Sequence, residues 1–226
     1  EPKLTAVSSG ENPFSGLSSS NGFKLGNYDF DLDGQDDIIV LEDDGLFVYD
    51  GNDIDFSGVA PTAVFSDATV DMGDTNANFF ITDFDWDGIG DILVGNSNGV
   101  WLMTGSLSGD SFDFSVPSQV MSSSNIASFG AFDIDGDFYK DVLVVNGSAT
   151  NWQYTYFSGG STLNQDSTFF ASSSDYRCNK LLIFDYDKDN IQELICYDVS
   201  NEMLRIYNRN TLIKNINRGT AICARN

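Results

Sequence analysis

Apolar runs and polar turns alternate along this chain, and the alternation repeats four times. Residues 38–41, 92–94, 142–145 and 194–196 are short runs rich in β-branched side chains. They are too short for helices and read as buried strands. A polar turn follows each (42–45, 95–99, 146–150 and 198–202), then an aromatic-bearing run (46–49, 100–103, 152–157 and 203–207). Two strands about a Gly- and Asn-bearing turn predict a hairpin. A weaker strand follows each hairpin (62–65, 116–121, 168–170 and 212–216), and another apolar run precedes it (23–28, 79–81, 126–132 and 181–184). No segment carries an apolar stripe of helical period over three turns. The pattern predicts an all-β protein of four-stranded units.

Four-stranded antiparallel units of about 50 residues in series match the blades of a β-propeller. A lone sheet leaves both faces bare, whereas blades packed side by side cover each other. The expected architecture is a four-bladed β-propeller, with blades at about 23–66, 77–121, 126–172 and 178–217 inside a repeat region of 23–217. A tandem solenoid, or half of an eight-bladed ring completed by a second copy, satisfies the same pattern. Residues 1–22 hold a strand-like piece (3–7) and a polar lead (8–22), and residues 218–226 hold a second piece (220–224). One such piece suffices to close a ring; the other can cap an edge or pair with a neighbouring molecule.

Between the first and second strands of every unit lies the same acidic loop. Its carboxylates fall at positions 1, 3, 5 and 9: Asp29, Asp31, Asp33 and Asp37; Asp83, Asp85, Asp87 and Asp91; Asp133, Asp135, Asp137 and Asp141; Asp185, Asp187, Asp189 and Glu193. The starts are 54, 50 and 52 residues apart. Alternating carboxylates converge on one point only if the backbone curls tightly. Gly34 and Gly88 at position 6 permit that curl by tolerating positive φ. Position 7 (Gln35, Ile89, Tyr139 and Ile191) offers a backbone carbonyl. Hard oxygen donors in this number suit Ca²⁺, up to four ions, better than the stricter octahedron of Mg²⁺. Position 12 is Val40, Val94, Val144 and Cys196 inside strands, which excludes an EF-hand, since that needs a bidentate Glu there. Asp-rich turns that merely start strands account for one such loop, not for four with one spacing. The first two loops are expected to bind most tightly. In the third, Gly136 stands at position 4 and Phe138 at position 6, so a different curl is expected; the fourth carries Lys188, Asn190 and the longer Glu193.

The stretch from Asp83 through Gly88 and Asp91 to Val94 resembles the FG-GAP/VCBS repeats of integrin-α-type calcium-binding propellers, and the resemblance runs over about residues 23–216. Related repeats occur in fungal lectins and secreted microbial proteins. The resemblance implies an extracellular, calcium-stabilised scaffold used in adhesion or recognition, and it does not specify a ligand.

Charge narrows the partners. Thirty-four acids against 11 bases give a net charge of −23, and nearly half the acids belong to the four loops. Four bound dications would leave the chain strongly negative, which argues against nucleic acid as partner. No run of about 18 apolar residues exists, so no membrane-spanning helix is expected. There is no histidine, which removes Ser-His and Cys-His catalysis and most transition-metal sites. Paired carboxylates outside the loops (Asp43, Asp44, Asp50, Asp53 and Asp55) read as solvated turn acids, and no enzyme activity is expected. Cys178, Cys196 and Cys223 fit one disulfide with a thiol left over, or three small buried hydrophobes. Asn146 begins a glycosylation sequon. Two functions follow. One is recognition of a protein or glycan surface by Ser, Asn, Gly and aromatic side chains; the aromatics from Trp152 to Tyr156 read first as strand packing between blades and second as ligand contacts. The other is assembly of copies into an oligomer or filament by a donated terminal strand.

Overall fold

The computed structural model describes residues 24–43, 45–51, 62–65, 74, 76–109, 111–147, 152–160, 162–166, 177–189, 192–208 and 211–217. These residues form strands and turns with no α-helix, in five antiparallel sheets. The strand-like pieces expected at 3–7, 168–170 and 220–224 lie outside the described residues, as do Ile191 and Cys223.

The first sheet is a meander of β1 (Lys24–Tyr28), β2 (Asp37–Glu42), β3 (Gly45–Tyr49) and β4 (Thr62–Phe65). The second uses β5 (Asn78–Thr82), β6 (Asp91–Asn96) and β7 (Gly99–Met103). A separate hairpin of β8 (Gly105–Ser108) and β9 (Ser111–Phe114) interrupts it before β10 (Ser118–Ser122) returns to pair with β7. The third joins β11 (Ile126–Phe132), β12 (Asp141–Gly147), β13 (Trp152–Ser158) and β14 (Asn164–Asp166). The fourth joins β15 (Lys180–Phe184), β16 (Glu193–Asp198), β17 (Met203–Asn208) and β18 (Thr211–Asn217). In every four-stranded sheet the acidic loop connects the first strand to the second.

The hairpin of β8 and β9 is absent from the pattern-based expectation. Its alternating Leu107, Phe112 and Phe114 about a Gly109 turn were nonetheless visible. Its role is to cover the first loop: Phe112 and Phe114 stand 5.7 and 5.1 Å from the ring of Phe30.

Side chains alternate sides along each second strand, and the two sides meet different neighbours. Ile39 and Leu41 of the first sheet pack with Ile92 and Val94 of the second. Leu93 of the second packs with Val142 and Val144 of the third. Leu143 and Val145 of the third pack with Leu194 and Cys196 of the fourth. The second strands are buried on both sides, which is why they read as continuous apolar runs rather than alternating ones. Three cores therefore join four sheets in chain order. Among the described residues no core joins the fourth sheet back to the first, so the expected closure into a four-bladed ring is not seen.

A disulfide links Cys178, just before β15, to Cys196 in β16. Both cysteines are buried in the core between the third and fourth sheets. The bond pins the entry of the last sheet to its central strand. It closes a separation of 18 residues, for which loop-closure entropy gives about 3 kcal/mol. The double variant Cys178→Ala/Cys196→Ala should therefore lose about 2–4 kcal/mol of unfolding free energy. Urea titration of the variant and of the parent protein measures it.

Candidate metal loops

Each loop is anchored by its second residue. Phe30, Phe84 and Ile134 are buried, so the loop backbone is drawn down onto the core while positions 4–6 stay exposed. The fourth loop departs here. Its Tyr186 is exposed, and the phenol oxygen accepts a 3.1 Å hydrogen bond from Lys214 Nζ.

The carboxylate at position 9 is buried in all four loops. One of its oxygens accepts the backbone N–H of position 2: Phe30 to Asp37 at 2.8 Å, Phe84 to Asp91 at 2.6 Å, Ile134 to Asp141 and Tyr186 to Glu193 at 2.7 Å. In the first three, the other oxygen accepts the N–H of a glycine just past the third strand (Gly51, Gly105 and Gly159), each at 2.8 Å. A Cβ at Gly105 would lie 2.3 Å from the Gly90 carbonyl oxygen, and one at Gly159 equally close to that of Lys140, so the close approach demands glycine. Among the described residues no such bond serves the fourth loop, whose corresponding position, 209, lies outside them. There Glu193 Oε1 is buried without a hydrogen-bond partner among the described residues.

The exposed carboxylates hold the curl. Position 1 accepts the N–H of position 6 in three loops: Gly34 to Asp29 at 2.9 Å, and Gly88 to Asp83 and Phe138 to Asp133 at 3.0 Å. Position 5 accepts the N–H of position 7: Gln35 to Asp33 at 2.7 Å, Ile89 to Asp87 at 2.8 Å, Tyr139 to Asp137 at 2.9 Å. The backbone is left-handed at position 6 (Gly34, Gly88 and Phe138) and also at position 4 (Leu32, Trp86, Gly136 and Lys188). The third loop thus keeps the common curl, contrary to the expectation of a different one. Its glycine relieves position 4 and Phe138 takes the left-handed site, with φ 77°. A left-handed residue bearing a Cβ costs about 1–2 kcal/mol, so every loop holds some strain against its carboxylate bonds.

The carboxylates converge, though not in the full expected set. Within 4.8 Å of one another lie oxygens of Asp29, Asp31 and Asp33; of Asp83, Asp85 and Asp91; of Asp133, Asp135 and Asp141; and of Asp185, Asp187 and Glu193. Asp37, Asp87, Asp137 and Asp189 stand outside these groups. Such sets of hard oxygens fit a calcium ion, with the carbonyls of Gln35, Ile89 and Tyr139 as further donors. The orphaned Glu193 Oε1 fits the same role. Crowding is felt electrostatically. Burial pushes Asp91 and Asp141 up to about 6, with the neighbouring loop aspartates adding to the rise. Asp31, Asp85 and Asp135 are also raised, first by burial and then by adjacent carboxylates.

Neighbouring loops touch. The Tyr28 ring, which leads into the first loop, covers Gly90 in the second. Trp86 of the second and Tyr139 of the third pair with ring centroids 5.4 Å apart. With Leu32 and Phe138, 54% and 71% exposed, they put aromatic and aliphatic surface among the acids. Position 4, notable in the sequence only for Gly136 and Lys188, supplies the exposed Leu32 and Trp86 in the first two loops. Trp152 and Tyr156 are buried in the core between the third and fourth sheets, which is the strand packing expected first for them and leaves no ligand contact. Asn146 is half-buried in β12 and directs its amide at Met121.

No protein-family model matches the chain, and no curated protein sequence matches it. A solved structure described as the basis of specific recognition of non-reducing terminal N-acetylglucosamine by an Agrocybe aegerita lectin is similar in fold. The TM-score is 0.57 at 15% identity, covering 87% of this chain and 52% of that one. The chain thus spans about half the length of that lectin, and the likeness speaks to the fold alone.

Proton linkage gives a test. Asp91 and Asp141 bind protons more tightly folded than unfolded, so in chelator their protonation stabilises the fold at low pH. That contribution is full below about pH 4, the unfolded carboxylate value, and is lost as pH rises through about 6. Thermal melts in EDTA should show a higher Tm at the acid end of this window than above it.

Proposed function

We propose that this chain is a calcium-stabilised array of propeller-type blades of the FG-GAP/VCBS kind that recognises glycans outside the cell without catalysing a reaction. The observation that carries the reading is the pairing of Trp86 with Tyr139 across two adjacent acidic loops. Exposed aromatic rings offer flat apolar faces to the C–H side of a sugar, and the carboxylates around them accept its hydroxyl protons. The fold likeness to a lectin supports the same reading. The disulfide between Cys178 and Cys196 suits an oxidising, extracellular compartment.

Calcium acts here on structure. In each loop the ion would be held by the clustered carboxylates, neutralising charges that otherwise repel, and its binding free energy adds to folding. The chain's own residues orient the site: the position 9 carboxylate fixes the loop to the strand, and the left-handed residues turn aromatic side chains outward.

Two outcomes are expected. Saturating Ca²⁺ should raise Tm relative to EDTA at neutral pH, by about 2.7 kcal/mol of added stability for each site held at a hundred times its Kd. A glycan array probed in calcium, with N-acetylglucosamine-terminated glycans included, should show binding that Trp86→Ala reduces at least about tenfold, or about 1.4 kcal/mol. A blank array in calcium rejects the recognition reading, and an unchanged melt rejects the calcium reading.

A further inference from the structure

The hairpin of β8 and β9 covers the first loop, and it begins on the carboxylate of the second. Gly105, its first residue, donates its N–H to Asp91 at 2.8 Å. Asp91 is also one of the three carboxylates that converge in the second loop, with Asp83 and Asp85. The hairpin is closed at its base: Thr104 O accepts the N–H of Ser115 at 2.9 Å, and Ser115 Oγ accepts that of Thr104 at 2.8 Å. Directly across from Gly105 stands Phe114, and Phe112 stands opposite Leu107. Both rings lie against Phe30, which is fully buried. Phe30 sits between Asp29 and Asp31, two of the three carboxylates that converge in the first loop, and its own N–H bonds Asp37. An unbroken series of contacts therefore runs from one carboxylate group to the next: Asp91, Gly105, Phe114, Phe30.

A second contact runs beside it. Tyr28, next to Asp29, packs on Phe30 with ring centroids 5.0 Å apart. The same ring leaves no room for a Cβ on Gly90, next to Asp91, and the Gly90 carbonyl leaves none on Gly105. Among the described residues no hairpin of this kind links the other loops. In the third sheet the chain passes from β13 through Gly159 to β14, which pairs with β13 itself. Between the second and third loops the contact is the exposed pair of Trp86 and Tyr139.

We propose that this hairpin couples the first two loops as cation sites, so that filling either one strengthens the other. The proposal rests on the calcium reading of the loops. Its sign follows from ordering. Drawing Asp83, Asp85 and Asp91 onto an ion fixes the base of the hairpin, and with it the rings that hold Phe30. The first loop is then ordered in advance, and an ion that enters it meets a smaller entropic cost. Linkage makes the effect equal in the two directions. Phe112 and Phe114 are positioning residues: their rings offer no donor to an ion, and they act through Phe30.

Site-resolved NMR of the nitrogen-15-labelled chain, in chelator-buffered calcium, tests the coupling. The amides of Gly34, Gly88 and Gly136 each bond the first aspartate of their own loop and so report the first, second and third loops. Salt of about 0.15 M screens the more distant exposed charges. Disabling the second loop with Asp83→Asn and Asp85→Asn should raise the calcium midpoint at Gly34 at least about fivefold, the low end of ordinary coupling. The midpoint at Gly136 should move less than about twofold, although the third loop adjoins the second as well. With Phe112→Ala and Phe114→Ala in both proteins, the shift at Gly34 should fall below about twofold, and Phe112→Leu with Phe114→Leu should restore it. The first comparison keeps the hairpin intact, so it decides the matter even where the alanine variant unfolds. A Gly34 midpoint that stays in place when the second loop is disabled overturns the proposal. So does an equal shift at Gly136, or a shift that survives the alanines; in these cases calcium still binds and the calcium reading stands. No calcium-dependent shift at any of the three glycines rejects the reading and the proposal together.

Discussion

A buried carboxylate that accepts two backbone N–H groups from different parts of a repeat is the constraint on which this structure turns. Asp91 takes one from Phe84 in the acidic loop and one from Gly105 beyond the third strand, and Asp37 and Asp141 do the same in their sheets. The bonds tie loop, second strand and chain exit to one point. Burying that charge is costly unless it is compensated, and two hydrogen bonds from neutral donors compensate it only in part. The upward shift of Asp91 and Asp141 has burial as its main cause, in keeping with that shortfall. A divalent cation at the adjoining carboxylates would supply the remainder, which connects the fold to its proposed metal.

The same constraint explains the surface. With position 9 fixed and position 2 buried, the residues between them must turn tightly and enter the left-handed region at positions 4 and 6. Their side chains then face solvent, and Leu32, Trp86 and Phe138 are exposed as a consequence. Apolar surface of this kind, held rigidly at a strained backbone, is a usual setting for recognition. Among the described residues the fourth loop has neither the buried anchor nor a second bond to its carboxylate, and it carries Lys188 where the others carry Leu32, Trp86 or Gly136. It is the loop most altered from the common design.

Much of this was legible in the residues. The four acidic loops and the β-branched runs after them placed the second strands, because side chains buried on both faces leave little freedom in composition. The first and third strands followed from their aromatic and apolar runs. The left-handed state of position 4 was not legible, since Leu32, Trp86 and Lys188 share no chemistry that favours it. Gly51, Gly105 and Gly159 were legible in principle, each two residues past an apolar end of the third strand, but their purpose appears only when the buried carboxylate is seen against them. The burial of Trp152 and Tyr156 followed from their period of two with Tyr154 along one side of β13, which favoured packing against the next sheet. The pairing of Cys178 with Cys196 needed the register of β15 on β16.

The central claim is that these loops are cation sites that complete a charge-crowded fold. Equilibrium dialysis against labelled calcium, on the unaltered chain and on a variant with Asp83→Asn and Asp85→Asn, tests it most directly. The account predicts saturable binding of several ions per chain at neutral pH, with one fewer in the variant. Absence of saturable binding, or the same stoichiometry in both proteins, would contradict it.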